Sequence, residues 1–242
     1  MSLSAVTLRL QAPVQKVVAR AGVTARQWAR EVQKAAVPAG VTACDLYWEF
    51  DPWPDGDGLD WRVIDCLSDV FCVFGSFAFV TDAPDIKKRL LSRIKAKLWR
   101  SPSPIISTHG SRYRRLHLPK VCTNTLWLAD TTRADEVRNF FLIRGWHIAR
   151  CLAGYLRAVG SPPLKLSDHQ IQDLIVTDSR EAMQRSLRAS GAKAVCLPGH
   201  DGAWLRFAFA DAQAMRQFSM QLRASCMAHQ LTCVIDVSSR YS

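Results

Sequence analysis

The sequence predicts an α/β fold with a doubly wound, mostly parallel sheet, and three observations predict it. Segments of strand character alternate with segments of helical spacing along most of the 242 residues. Strand-like runs such as Phe77–Val80 and Ala194–Leu197 are continuously apolar rather than alternating, the pattern of strands covered on both faces. Carboxylates recur at the ends of those runs, where open parallel sheets place their ligands.

The elements follow in order. Residues 1–36 hold six basic residues (Arg9, Lys16, Arg20, Arg26, Arg30, Lys34) and one acid, Glu31, in a background rich in Ala, Val, Ser and Thr. That composition is the one described for transit peptides. Residues 1–38 are therefore expected to be a mitochondrial or chloroplast leader, or else a basic N-terminal helix. A nuclear or cytoplasmic location is the alternative.

Pro38-Ala39-Gly40 breaks the chain before an opening strand, Ala43–Phe50, which Pro52 and Pro54 stop. A loop to Asp60 precedes a helix over Trp61–Phe74, with Val63, Ile64, Leu67, Val70 and Phe71 at helical spacing. Gly75 ends that helix, and Ser76–Thr81 reads as a buried strand. Asp85–Trp99 is a basic amphipathic helix, and Ser101–Pro104 is a linker. Ile105–Leu118 reads as short β structure carrying Arg112, Arg114 and Arg115. Leu126–Ala129 is strand-like.

Asp135–Val159 is predicted as one long helix ended by Gly160, with Pro162 and Pro163 beyond. A β-α-β unit follows: strand Asp173–Thr177, helix Ser179–Ser190 with Gly191 as its cap, and strand Ala192–Leu197. Strand Ala203–Ala210, helix Asp211–Gln230 and strand Leu231–Val237 close the chain. The expected organisation is a leader (1–38), an α/β domain (39–200) and a β-α-β extension of its sheet (201–242).

The formal net charge of +11 points to a polyanionic partner, with nucleic acid foremost. No apolar run approaches the length of a membrane span, so no integral membrane association is expected. The eight cysteines include no C-x-x-C pair, which argues for core thiols in a reducing compartment and against a zinc site.

Chemistry centres on acids at element ends. Glu49 and Asp51, two apart on a strand, point the same way. Asp178 closes the predicted strand 173–177, and Asp135 opens the long helix, with Asp130 a rival for its place. In a parallel sheet these carboxylates converge on one edge, where mutual repulsion requires divalent cations, and hard Mg²⁺ or Mn²⁺ suits oxygen ligands. Two such ions clamp a phosphodiester and activate a water. Lys87, Lys88, Arg93, Arg112, Arg114 and Arg115 would hold further phosphates. Trp53, in a loop, would stack on a base.

The run Leu46-Tyr47-Trp48-Glu49-Phe50-Asp51-Pro52-Trp53-Pro54, with the helix and the glycine-led strand after it, resembles the start of NYN domains of the PIN-like ribonuclease superfamily. Arg133-Ala134-Asp135-Glu136-Val137 is similar to that family's A-D-x-x-L helix start, and Asp173–Ser179 to its V-S-D-D-S-D-F strand. The resemblance covers roughly residues 43–200. It implies a three-layer α/β/α sandwich with Glu49, Asp51, Asp135 and Asp178 holding Mg²⁺ or Mn²⁺ for RNA cleavage. The chain departs from the pattern at Glu49 (Asp in the family), Pro52 (Asn), and Ser179 and Arg180 (acids).

The expected function is thus that of a metal-dependent endoribonuclease acting on RNA. The alternative is a degenerate member serving as an RNA-binding or complex-assembly subunit. A more distant alternative is a phosphatase resembling the haloacid dehalogenases, which Glu49 in the nucleophile's place opposes.

Overall fold

A computed structural model describes residues 6–11, 42–48, 61–81, 105–108, 111–121, 126–133, 136–138, 151–198 and 204–236. Among the described residues ten strands form one sheet: β1 (Val6–Gln11), β2 (Ala43–Trp48), β3 (Ser76–Thr81), β4 (Ile105–Thr108), β5 (Ser111–Leu116), β6 (Leu126–Thr131), β7 (Cys151–Arg157), β8 (Ala194–Pro198), β9 (Trp204–Phe209) and β10 (Thr232–Asp236). Their order across the sheet is β10-β1-β2-β9-β8-β7-β3-β6-β5-β4. The described helices are α1 (Trp61–Cys72), α2 (Asp168–Thr177), α3 (Arg180–Ser190) and α4 (Ala212–Ala228).

The sheet overturns the predicted mostly parallel, doubly wound fold. Only β1 and β2 run parallel, and every other pair of neighbours is antiparallel. Continuous apolar runs report burial on both faces, not strand direction. β3 is buried at all six positions although both of its neighbours are antiparallel to it. Helices on both faces produce that pattern in either kind of sheet.

Two local readings also change. The predicted strand Asp173–Thr177 is the end of helix α2. Its start carries a capping box: the Ser167 hydroxyl accepts from Gln170 N at 3.2 Å, and Gln170 Oε1 accepts from Ser167 N at 2.9 Å. Ile171 and Leu174 then face the core at helical spacing. The predicted helix 135–159 is helical at 136–138, but Cys151–Arg157 is β7, paired with β3 and β8. With 151–157 in a strand and 173–177 in a helix, the β-α-β crossover that would have made the sheet parallel is absent.

Two cores flank the sheet. On one face α1 and α4 pack over Leu46, Phe77, Phe79, Leu156, Cys196 and Phe207. Rings interlock there: Phe207 lies 4.6 Å from Phe218 of α4 and 6.0 Å, edge-on, from Phe71 of α1. On the other face α2 and α3 cover Val80, Leu128, Tyr155, Val195 and Leu197. The parity of each strand assigns its residues to the two cores.

Gly154 marks a close approach inside the sheet. A Cβ there would stand 2.6 Å from Cys196 Sγ and 3.2 Å from the Phe79 ring. Gly75, after α1, needs its glycine for its backbone as well, with φ at +78°.

Residues 6–11, inside the stretch read as a leader, are β1, a strand lying between β10 and β2. No helix among the described residues is long and apolar enough to cross a membrane.

Candidate nucleic-acid interface

Of the four acids predicted to bind metal, Glu49, Asp51 and Asp135 lie outside the described residues, as do Lys87, Lys88, Arg93 and Trp53. Asp178 is described, and it does not end a strand. It is the C-cap of α2, left-handed at φ 40° and ψ 41°, and Ser179 immediately caps α3. Asp178 is the hinge of a helix pair. Its carboxylate is half exposed and faces Arg206 at 3.6 Å, and Arg206 also donates to Asp178 O at 3.2 Å.

Asp130, the rival ligand, is bound up structurally. Register places it on β6 across Ala78 of β3 from Tyr155 on β7, and Arg157, two residues along β7 on the same face, forms an ion pair with it. Asp130 also accepts from Leu164 N at 2.9 Å, while Arg157 donates to Pro162 O and, at 3.4 Å, to Phe77 O. Both carboxylate oxygens are thereby occupied in fastening the loop after β7 to the sheet. Among the described residues no group of three or more His, Cys, Asp or Glu could hold a metal ion.

The basic cluster of the β4–β5 hairpin divides. Arg112 and Arg115 are exposed. Arg114 turns inward, pairing with Asp168 at the start of α2 and donating to Leu166 O at 2.8 Å. Asp168 also accepts from His117 N at 2.8 Å, so Arg114 ties the hairpin to α2.

A different basic site is assembled where α3 passes the start of β2. An open cleft of about 440 Å³ is lined by Thr42, Arg180, Glu181, Gln184, Arg185 and Arg188. Arg180, Gln184 and Arg188 recur every four residues, so one helical face presents them in a row. The opposite face of α3 buries Ala182, Met183, Ser186 and Leu187, which fixes how the helix is turned. Three guanidinium groups line the cleft against one lining carboxylate, Glu181, and Asp173 beside it pairs with Arg185 at 2.9 Å.

The acids nearby are held ionised. Hydrogen bonds from Arg185 and Thr177 lower the Asp173 carboxyl below its ordinary range. The Glu181 carboxyl is lowered by its own backbone N–H, then by Ser179, with Arg185 and Arg180 adding to the effect. Beside the cleft, Arg206 of β9 bonds Asp45 of β2 at 3.2 Å and reaches the α2–α3 hinge, anchoring the helix to the sheet.

The sequence predicts a helix over 179–190 without singling out the row Arg180, Gln184 and Arg188, whose i, i+4 spacing is the signal that could have found this face. The partner side of the cleft carries no such signal, because Thr42 is brought there only by the pairing of β2 with β9.

No protein family, curated protein or solved structure matches the chain. The NYN resemblance is therefore not upheld, and the antiparallel sheet is unlike the parallel sheet of that family. The metal-dependent ribonuclease reading falls with it. That reading needed parallel strands to bring acids to one edge, whereas neighbouring antiparallel strands send their carboxyl ends to opposite edges.

Proposed function

We propose that the protein is an RNA-binding subunit that recognises the phosphate backbone rather than cleaving it. The observation that carries this reading is the arginine-lined cleft of α3, in a chain of net charge +11. Guanidinium groups present planar forks of donors that match phosphate oxygens in pairs, and they stay charged at every physiological pH. Gln184 and the Thr42 hydroxyl add neutral donors suited to ribose and phosphate oxygens. Arg112 of the hairpin, on the same sheet face by strand parity, extends the basic surface, whereas Arg115 shares the face of Tyr113 on the other side. β5 lies five strands from β9, about 24 Å away at the usual strand spacing. One RNA strand of several nucleotides spans that distance.

The test is a salt titration with fluorescently labelled single-stranded RNA. Binding is expected to weaken linearly in log–log form as salt rises. Replacing Arg180, Arg185 and Arg188 together by Gln is expected to weaken binding at 100 mM salt by roughly tenfold or more and to flatten the slope by about 0.7 per lost contact. Unchanged affinity in that variant, or wild-type binding insensitive to salt, overturns the proposal.

A further inference from the structure

Helix α4 packs on the sheet face opposite the arginine cleft. It buries Ala214, Met215, Phe218, Leu222 and Cys226 against the core shared with α1. The outer face of such a helix ordinarily carries charge, as α3 does with Glu181, Arg185 and Arg188 all exposed. That of α4 does not. Of its exposed positions only Arg216 is charged. Gln213, Gln217, Met220, Ala224 and Met227 are all exposed and follow one another at intervals of four, three, four and three. That is the spacing of a coiled-coil seam. Met220 is 70% exposed and Met227 48%, both among the most exposed large apolar side chains described. Methionine and arginine enrichment with loss of acids is the composition of the centre of a protein interface.

The charge selects the occupant. The only charged residues of α4 are Arg216 and Arg223, and it has no acid. A second copy docked through the same helix, antiparallel about Met220, would set Arg216 of one chain near Arg223 of the other. The α4 of a second copy brings no acid to Arg216, so the same helix does not complement it. We infer that α4 docks an amphipathic helix of another protein, with a branched or straight apolar seam on Met220, Ala224 and Met227 and glutamates or aspartates flanking it toward Arg216. Methionine adapts to seams of different shape, and Ala224 lets the partner backbone come close.

Three synthetic helices of 21 residues test this, with binding to the full chain followed by fluorescence anisotropy. One has a leucine seam flanked by glutamates, the second the same seam flanked by lysines, and the third the glutamates with a serine seam. The first is expected to bind, and the other two at least tenfold more weakly. Met220→Gln with Met227→Gln should cost the first helix at least tenfold in affinity while leaving RNA titrations unchanged. Arg216→Glu should shift preference toward the lysine-flanked helix. If the double variant is poorly folded by circular dichroism, the Arg216→Glu preference decides alone. Absence of binding by the first helix, or equal binding of the first two, overturns the inference. So does a dimer of the chain in sedimentation that Met220→Gln dissolves, since a second copy would then own the face.

Discussion

Asp130 shows how a residue's chemistry depends on who stands opposite. The sequence offers it as a metal ligand because it follows an apolar run near other acids. The sheet places it one strand across from Arg157, and both oxygens are taken by Arg157 and Leu164 N. Removing one partner of a buried pair strands the other charge, which typically costs about 3–5 kcal/mol. Asp130→Ala is therefore expected to lower stability by that order in urea denaturation. A change under about 1 kcal/mol would mean that the pair contributes nothing beyond a surface contact. Arg114 makes the same point in reverse. A basic residue read as a phosphate contact is occupied by Asp168, and its neighbours Arg112 and Arg115 are the ones left facing solvent.

Among elements, β7 and α2 were misread in opposite directions. Residues 151–157 satisfy helical spacing well enough to merge with the segment before them, yet Gly154 sits in their middle, where a helix would be weakened. In the sheet that glycine is required, because Cys196 Sγ and the Phe79 ring fill the space a Cβ would take. Gly154→Ala is expected to destabilise the fold by about 1–3 kcal/mol through overpacking, measured as a lowered thermal midpoint. An unchanged midpoint would show that β7 can shift without loss. In α2 the β-branched residues Ile175, Val176 and Thr177 argued for a strand. The capping box at Ser167 and Gln170 and the buried pair Ile171 and Leu174 outweigh them. The Ser167-x-x-Gln170 signature was legible in the sequence. The strand at 151–157 was not, since only β3 and β8 on either side of it supply the pairing.

For the whole molecule, the sheet has an arginine-lined cleft on the α2–α3 face and an uncharged methionine seam on the α1–α4 face. The two proposed partners, a nucleic acid and a protein helix, would thus sit on opposite faces and not compete. β1 is the strand that joins β10 to the rest, so the sheet beyond β2 depends on it. Deleting residues 1–38 is expected to lower the thermal midpoint and broaden the transition, because β10 loses the one strand partner it has among the described residues. A truncated chain melting like the full one would show that β1 adds little.

The sequence by itself determined the mixed α/β composition, the positions of most elements, the cap at Gly191 and the basic balance. Those are local properties, fixed by periodicity, capping chemistry and side-chain charge within a few residues. Strand direction and order, the fates of Asp130 and Asp178, and the cleft between α3 and Thr42 were decided only by the tertiary structure. Each depends on residues tens to more than a hundred positions apart, as Arg206 and Asp45 are. Burial on both faces hides from the sequence which neighbour each strand will pair with.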